Sequence, residues 1–273
     1  MNIEKHLAFF LIIAIAALIV LYPQPLLHPA KSKIAVIIID GFRPDYLNYT
    51  ANLASFAESN EYFVINTVEP SITPTVHASM VSCQLPANHG IVDYSTQFSG
   101  TPFLFKWGKE NNLLVCSAYA KEYLNFFDNS YKFYYAPLVS DKFLIEKTKE
   151  YVEECDIIIA SLPETDSIGH LYGPSSENTK ELLKELDNNF ADLIDYLRSK
   201  KVKIIVVSDH GMCDVNGKGI HNISEECALK IPLIIDKNLT IPNELDKNNL
   251  KLTNIVPIIC NYYGFDCTSE CDV

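Results

Sequence analysis

Three aspartates and three histidines in this chain stand where divalent metal ions could be held. The apolar run Ile34–Ile39 leads straight into Asp40-Gly41. Ile157–Ser161 leads into Pro163-Glu164-Thr165-Asp166, with His170 one helical turn further on. Lys203–Val207 leads into Ser208-Asp209-His210-Gly211-Met212, and His221 follows after a short gap. A fourth run, Tyr62–Val68, precedes Pro70-Ser71-Ile72-Thr73-Pro74-Thr75-Val76-His77. Carboxylate oxygens and imidazole nitrogens are ligands for zinc-type ions, and a carboxylate-rich set with three imidazoles suits two neighbouring ions better than one. Thr73 adds a hydroxyl, a poor nucleophile at neutral pH until a cation lowers its pKa. Singly, each residue is ordinary: an Asp after a strand caps a helix or makes a turn, and a lone His is usually solvated. Jointly they are not. Four of the seven histidines fall in these segments, and four of the strand candidates end in residues of this kind, so chemistry is the better reading.

Such residues meet only if one sheet carries them. Apolar β-branched runs alternate with helical patterns from residue 33 onward. Strands are expected at Ile34–Ile39, Tyr62–Val68, Leu113–Ser117, Ile157–Ser161, Lys203–Val207 and Ile231–Ile235. Helices are expected near Ala51–Ser59, Asp141–Glu154 and Glu181–Lys200. The last places Leu182, Leu183, Leu186, Phe190, Leu193, Ile194 and Leu197 at helical spacing, with Asn178 and Glu181 as a capping box. This alternation predicts an α/β fold: a mostly parallel central sheet flanked by helices, preceded by an N-terminal hydrophobic helix. In such sheets ligands sit at the carboxyl ends of the strands. A helix beginning near Pro74 would place Thr73 at its positive end, a position that favours an anion.

The ordered segments IIIDGFRPDYL (37–47), EPSITPTVHASMVSCQLPANHGIVD (69–93), PETDSIGHLYGP (163–174), VVSDHGM (206–212) and GKGIHNISEECALKIPLII (217–235) resemble the alkaline phosphatase superfamily. Within it they are similar to the type I phosphodiesterase/nucleotide pyrophosphatase family, over nearly all of 33–263. The closing stretch Leu252–Gly264 also looks family-like. The resemblance implies that Asp40, Asp209 and His210 bind one metal, which the Thr73 oxygen also contacts. It implies that Asp166, His170 and His221 bind the other. Both ions are expected to be Zn2+, with Mn2+ or another divalent ion as alternatives. Thr73 matches the nucleophile, and His77 and His89 match positions that are not ligands and read as structural supports. The implied reaction hydrolyses phosphodiester or pyrophosphate bonds through a phospho-threonine.

The match has departures. Nucleotide-cleaving relatives carry an Asn after the H-G-I-V-D run where this chain has Tyr94, which stands as a substrate-contact candidate. The gap from His210 to His221 leaves no room for a cap domain. A phosphomonoesterase or a phosphoethanolamine-type head-group transferase therefore stays open, and a basic residue near the phosphate position would favour monoesters. The aromatics of Tyr123–Tyr135 read either as a pocket wall or as a core hairpin. The non-enzymatic alternative is a surface module stabilised by metal.

Composition narrows the partners. The 273 residues hold 22 Lys+Arg against 34 Asp+Glu, a net charge of −12, which argues against duplex nucleic acid. A small phosphate ester, such as a nucleotide or lipid head group, is the expected substrate, and nothing bears on oligomeric state. Leu7–Tyr22 carries no charge, and with Pro25–Leu27 it nears the length of a bilayer span. Residues 1–30 are thus expected to be an anchor with a linker, contacting the membrane through 7–27, and 31–273 the catalytic domain outside the cell. A cleaved signal peptide followed by secretion is the alternative. Export would permit disulfides among the eight cysteines. Cys260, Cys267 and Cys271 crowd together, where a local bridge is plausible, whereas Cys83 and Cys116 lie in apolar segments and read as core thiols.

Overall fold

The computed structural model of the protein describes residues 33–273. Along the chain, β1 (Ile34–Ile39) is followed by α1 (Ala51–Glu58), β2 (Glu61–Asn66), α2 (Thr73–Ser82), α3 (Pro86–His89) and α4 (Phe103–Glu110). β3 (Val115–Tyr119) and β4 (Lys132–Tyr135) precede α5 (Asp141–Glu154), β5 (Ile157–Leu162), α6 (Glu164–Tyr172) and α7 (Glu177–Ser199). Then come β6 (Lys203–Val207), β7 (Cys213–Val215), β8 (Lys218–Ile220), α8 (Glu226–Leu229), β9 (Lys230–Ile235) and α9 (Ile255–Tyr262).

The β1 sequence IAVIII has no polar face to offer water, so it is stable only inside a sheet covered on both sides. All six residues are buried. The seven-stranded sheet runs β2-β9-β6-β1-β5-β3-β4, with β1 at its centre. β1 pairs in parallel with β5 and β6, placing Ile38 opposite both Ser161 and Val207. Asp40, the 163–166 segment and Asp209 therefore leave the sheet at the same edge. β3 joins β5 in parallel and β4 joins β3 in parallel. β9 is the antiparallel member, against both β6 and β2.

Alternate residues of the strands feed two cores. Val36 and Ile38 pack with Val76 and Met80 of α2 and Val256 and Ile259 of α9. Ala35, Ile37 and Ile39 pack with α1, α5 and α7. On α7, Leu183, Leu186, Phe190, Leu193, Ile194 and Leu197 form the buried stripe, each contributing about 1.5–3 kcal/mol by leaving water. The helix begins four residues earlier than its apolar pattern suggests. Ser176, not Asn178, caps it, accepting from the Thr179 N–H at 3.2 Å.

Other expectations shift too. The 123–135 aromatics form no hairpin: a 3₁₀ segment, Glu122–Asn129, leads into β4, which pairs parallel with β3. Leu124, Phe126 and Phe127 bury themselves in the core, which explains their aromatic density. Cys83 and Cys116 are not free thiols. Bridges join Cys83–Cys271, Cys116–Cys155, Cys213–Cys227 and Cys260–Cys267, and no cysteine is left unpaired. The expected local bridge near the C-terminus is present as Cys260–Cys267. The apolar stretch 7–27 lies outside the described residues. Among those described, no helix is long and apolar enough to cross a membrane.

Candidate active site

Each ligand candidate is held by a specific local device. β1 leads into Asp40, whose N–H donates to the Leu162 carbonyl at 3.0 Å. Gly41 then turns the chain at φ +72°, and a Cβ here would lie 3.0 Å from the Asp166 Cα. Only glycine lets the start of α6 approach the end of β1 so closely. The Gly41 N–H also donates to Asp209 Oδ1 at 3.0 Å, beside the His210 N–H at 2.8 Å. Asp166 and His170 lie one turn apart on α6, on the same face. His221 follows the β7–β8 hairpin, which the sequence reading did not foresee. A Cβ on Gly219 of that hairpin would lie 2.6 Å from the Gly169 carbonyl oxygen, and 2.0 Å from the Met212 sulfur, so glycine is required where the hairpin meets α6.

The three imidazoles share one arrangement. His170 Nδ1 meets the Gly219 carbonyl at 2.8 Å, His210 Nδ1 the Gly211 carbonyl at 2.9 Å, and His221 Nδ1 the Ser71 carbonyl at 2.7 Å. A carbonyl only accepts, so each Nδ1 carries the proton and each Nε2 lone pair points inward. What faces those lone pairs is carboxylate oxygen. His210 Nε2 is 3.3 Å from Asp40 Oδ1 and 3.4 Å from Asp209 Oδ2. Asp166 Oδ1 is 3.2 Å from His170 Nε2 and 3.6 Å from His221 Nε2. The His170 and His221 Nε2 atoms are 3.1 Å apart.

Two acceptors in contact need a cation between them. Asp40 Oδ1, Asp166 Oδ1 and Asp209 Oδ2 are buried and accept no hydrogen bond, a costly condition unless something positive satisfies them. The donor set therefore fits divalent ions. Asp40, Asp209 and His210 form one tight group, and Asp166, His210 and His221 another. His170 adjoins the second through the contacts just described. His210 Nε2 thus lies within reach of both groups.

The electrostatics agree. Burial, then neighbouring Asp209, pushes Asp40 well above the usual carboxylate range. Burial also raises Asp166, but Lys121, His170 and His210 outweigh it and hold this carboxylate low. Asp209 is likewise held low against its burial, by His210, His77 and Lys121. Three buried carboxylates this close do not all ionise without more positive charge. Burial depresses His221 to about 4, with His210 adding to the effect, which keeps its imidazole neutral and able to ligate.

Thr73 opens α2, as expected, and is fully buried. Its Oγ1 lies 3.4 Å from His210 Nε2, beside the Asp40 group. His77, one turn on, donates from Nδ1 to the Thr73 carbonyl at 2.9 Å and accepts from Ser161 Oγ at 3.1 Å. With both nitrogens engaged, it braces the helix start against β5. His89 contacts Ser79 Oγ at 2.8 Å and accepts from the Ile91 N–H at 3.0 Å, away from the cluster. Tyr94 is half exposed, its ring edge-on to Tyr123 at 5.0 Å, so it stands at the rim.

Two residues of the site escaped the sequence reading. Lys121 Nζ contacts Asp40 Oδ2 at 2.5 Å and Asp166 Oδ2 at 2.8 Å. The Tyr123 hydroxyl engages both Thr73 and Lys121. Both lie just past the carboxyl end of β3, the same position that yields Asp40 and Asp209 elsewhere. The strand-end rule, applied to this strand as well, points to them.

The model of the type I phosphodiesterase/nucleotide pyrophosphatase family matches residues 34–115 and 116–237. An uncharacterised pyrophosphatase/phosphodiesterase of Schizosaccharomyces pombe is 33% identical, the match covering 67% of this chain and 45% of the relative. Human bis(5'-adenosyl)-triphosphatase is 26% identical, over 70% of this chain and 50% of the relative. The chain thus spans about half the length of these relatives. Murine ectonucleotide pyrophosphatase/phosphodiesterase 5 shares the fold, with a TM-score of 0.60 and 22% identity over 68% of this chain and 58% of that one. The chain belongs to the type I phosphodiesterase/nucleotide pyrophosphatase family.

Proposed function

We propose that this protein is a two-metal phosphoesterase that hydrolyses phosphodiester or pyrophosphate bonds with Thr73 as nucleophile. The observation that carries the proposal is the convergence of unpaired carboxylate oxygens and inward Nε2 lone pairs beside a hydroxyl at a helix start. Two divalent ions, Zn2+ or alternatively Mn2+, held by Asp40, Asp209 and His210 and by Asp166, His170 and His221, would supply the charge that activates the hydroxyl and stabilises the phosphoryl oxygens. Thr73 Oγ1 bonds to phosphorus as the bond from phosphorus to the leaving oxygen breaks, and the leaving group departs with a proton. Water then cleaves the phospho-threonine, releasing phosphate or a phosphomonoester and restoring the hydroxyl. The first N–H groups of α2 face the incoming anion and favour it. His77 keeps that helix start in register with β5.

The substrate is a small phosphate ester of the nucleotide class. A solved structure of murine ectonucleotide pyrophosphatase/phosphodiesterase 5, in an inactive form, is in complex with AMP, which supports this class. A purely structural metal module would need no nucleophile, and Thr73 speaks against it. Four disulfides support a catalytic domain in an oxidising compartment outside the cell, with residues 7–27 as membrane anchor.

The test uses the full 273-residue chain. Bis-p-nitrophenyl phosphate and a dinucleoside polyphosphate are assayed with and without chelator, for wild type and Thr73→Ala, alongside metal analysis. Turnover that needs both metal and Thr73 is expected. Equal rates for the variant, no turnover of either substrate, or no stoichiometric metal would each overturn the proposal.

A further inference from the structure

Lys121 divides the site's carboxylates in a specific way. Asp40 turns Oδ1 to His210 and Oδ2 to the Lys121 ammonium. Asp166 turns Oδ1 to His170 and His221 and Oδ2 to the same ammonium. The oxygens offered to imidazole, and hence to metal, are not those paired with Lys121. This lysine can therefore stay in place while both ligand groups are loaded, as a third positive charge lying between them. Its side chain is 14% exposed, so it is sheltered from screening while keeping some access to the mouth.

Its neighbours give this charge a direction. Phe126 and Phe127 anchor the 3₁₀ segment in the core, and Phe127 meets the His77 ring at 5.9 Å. That anchoring sets Tyr123 against Thr73. Thr73 itself has no exposed surface, and the Tyr123 hydroxyl engages its side chain. Tyr123 thus stands beside that hydroxyl, with Lys121 next to it. Tyr94 packs on Tyr123 from outside.

We propose that Lys121, with the Tyr123 hydroxyl, contacts the non-bridging oxygens of the attacked phosphorus and equips the site to hydrolyse phosphomonoesters as well as diesters. This rests on the Thr73 and two-metal reading above. The attraction of a fixed cation scales with the charge of its partner. A phosphomonoester dianion gains about twice what a diester monoanion gains from the same ammonium. Lys121 brings a full charge to the phosphoryl oxygens and Tyr123 a hydroxyl donor. The bonds that form and break are those of the Thr73 reaction, with an alcohol leaving and inorganic phosphate released.

The test compares wild type, Lys121→Met, Lys121→Arg and Tyr123→Phe. Values of kcat/KM are measured for p-nitrophenyl phosphate and bis-p-nitrophenyl phosphate. Binding of inorganic phosphate to the metal-loaded protein is followed by calorimetry, and metal content by mass spectrometry. Lys121→Met is expected to keep both metals and to bind phosphate at least tenfold more weakly. Its kcat/KM should fall at least tenfold further for the monoester than for the diester. Tyr123→Phe should show the same trend at smaller size, and Lys121→Arg should retain most of the class ratio. Equal losses on both substrates, unchanged phosphate binding, or a ratio that collapses in Lys121→Arg overturns the inference. If Lys121→Met does not fold, Lys121→Arg and Tyr123→Phe decide it alone. Wild-type protein lacking metal-dependent, Thr73-dependent turnover would instead refute the underlying reading.

Discussion

The Cys213–Cys227 bridge encloses the segment that carries His221, and breaking it is expected to loosen the proposed metal site before the fold. The bridge closes a loop of sequence separation 14. A loop of about 15 residues corresponds to roughly 3 kcal/mol of chain entropy in the unfolded state. Part of that constraint is duplicated in the folded protein. β7 and β8 pair Cys213 with Ile220, and the Gly211 N–H donates to the Ala228 carbonyl at 2.8 Å. His221 and Asn222 are tied to Ser71 at 2.7 and 3.0 Å. About half the entropic term, ~1–2 kcal/mol, should then appear as lost stability in a Cys213→Ser/Cys227→Ser variant, a fall of roughly 2–8 °C in Tm for a chain of this size. The remaining cost falls on ordering the His221 loop, so metal affinity should drop by about tenfold per 1.4 kcal/mol. Melting curves and calorimetric metal titration check both. An unchanged metal affinity would show that the hairpin and Ser71 contacts alone hold His221, and the reasoning would fail.

Further outcomes are expected elsewhere. Thr73→Ala should lower phosphoester turnover by at least about 10³-fold while leaving metal content intact, since loss of a nucleophile removes the covalent step. Gly41→Ala should cost about 1–2 kcal/mol from its left-handed backbone, and the Cβ 3.0 Å from Asp166 Cα should add a loss of activity. Asp141 is raised to about 8 by burial and then by Glu164. The folded state therefore holds this proton more tightly than the unfolded chain, and stability should fall as pH rises from about 4 towards about 8. Asp141→Asn should flatten that decline in denaturant unfolding between pH 6 and pH 8.5, windows chosen around the raised value of about 8. His89 is depressed to about 4 by burial, which acts in the opposite sense. It binds its proton less readily when folded, so its contribution is present above the ordinary imidazole range and lost on acidification towards about 4. His89→Gln should reduce the acid sensitivity of the melting temperature.

Much of this site was legible in the sequence, because its chemistry rides on local rules. A run such as IAVIII has nowhere to go but the middle of a covered sheet, and parallel strands deliver whatever follows them to one edge. Asp40, Asp166 and Asp209 could thus be placed together from their positions after such runs, and Thr73 at a helix start from the proline behind it. The resemblance of the ordered motifs named the family. What sequence order could not convey was cross-chain contact. Lys121 follows β3 as the aspartates follow their strands, but only the pairing of β3 with β5 and of β5 with β1 brings its ammonium between Asp40 and Asp166. His210 lies close to both groups, its ring stacked on His221 at 3.8 Å, a contact made by the hairpin rather than by spacing. Cysteine pairing is of the same kind: Cys83 and Cys271 are 188 residues apart in sequence, and their meeting depends on how the C-terminal segment packs against α2. Local pattern determines which residues reach the sheet edge; which oxygen faces which cation is decided by packing, because that depends on distances between elements the chain joins only in three dimensions.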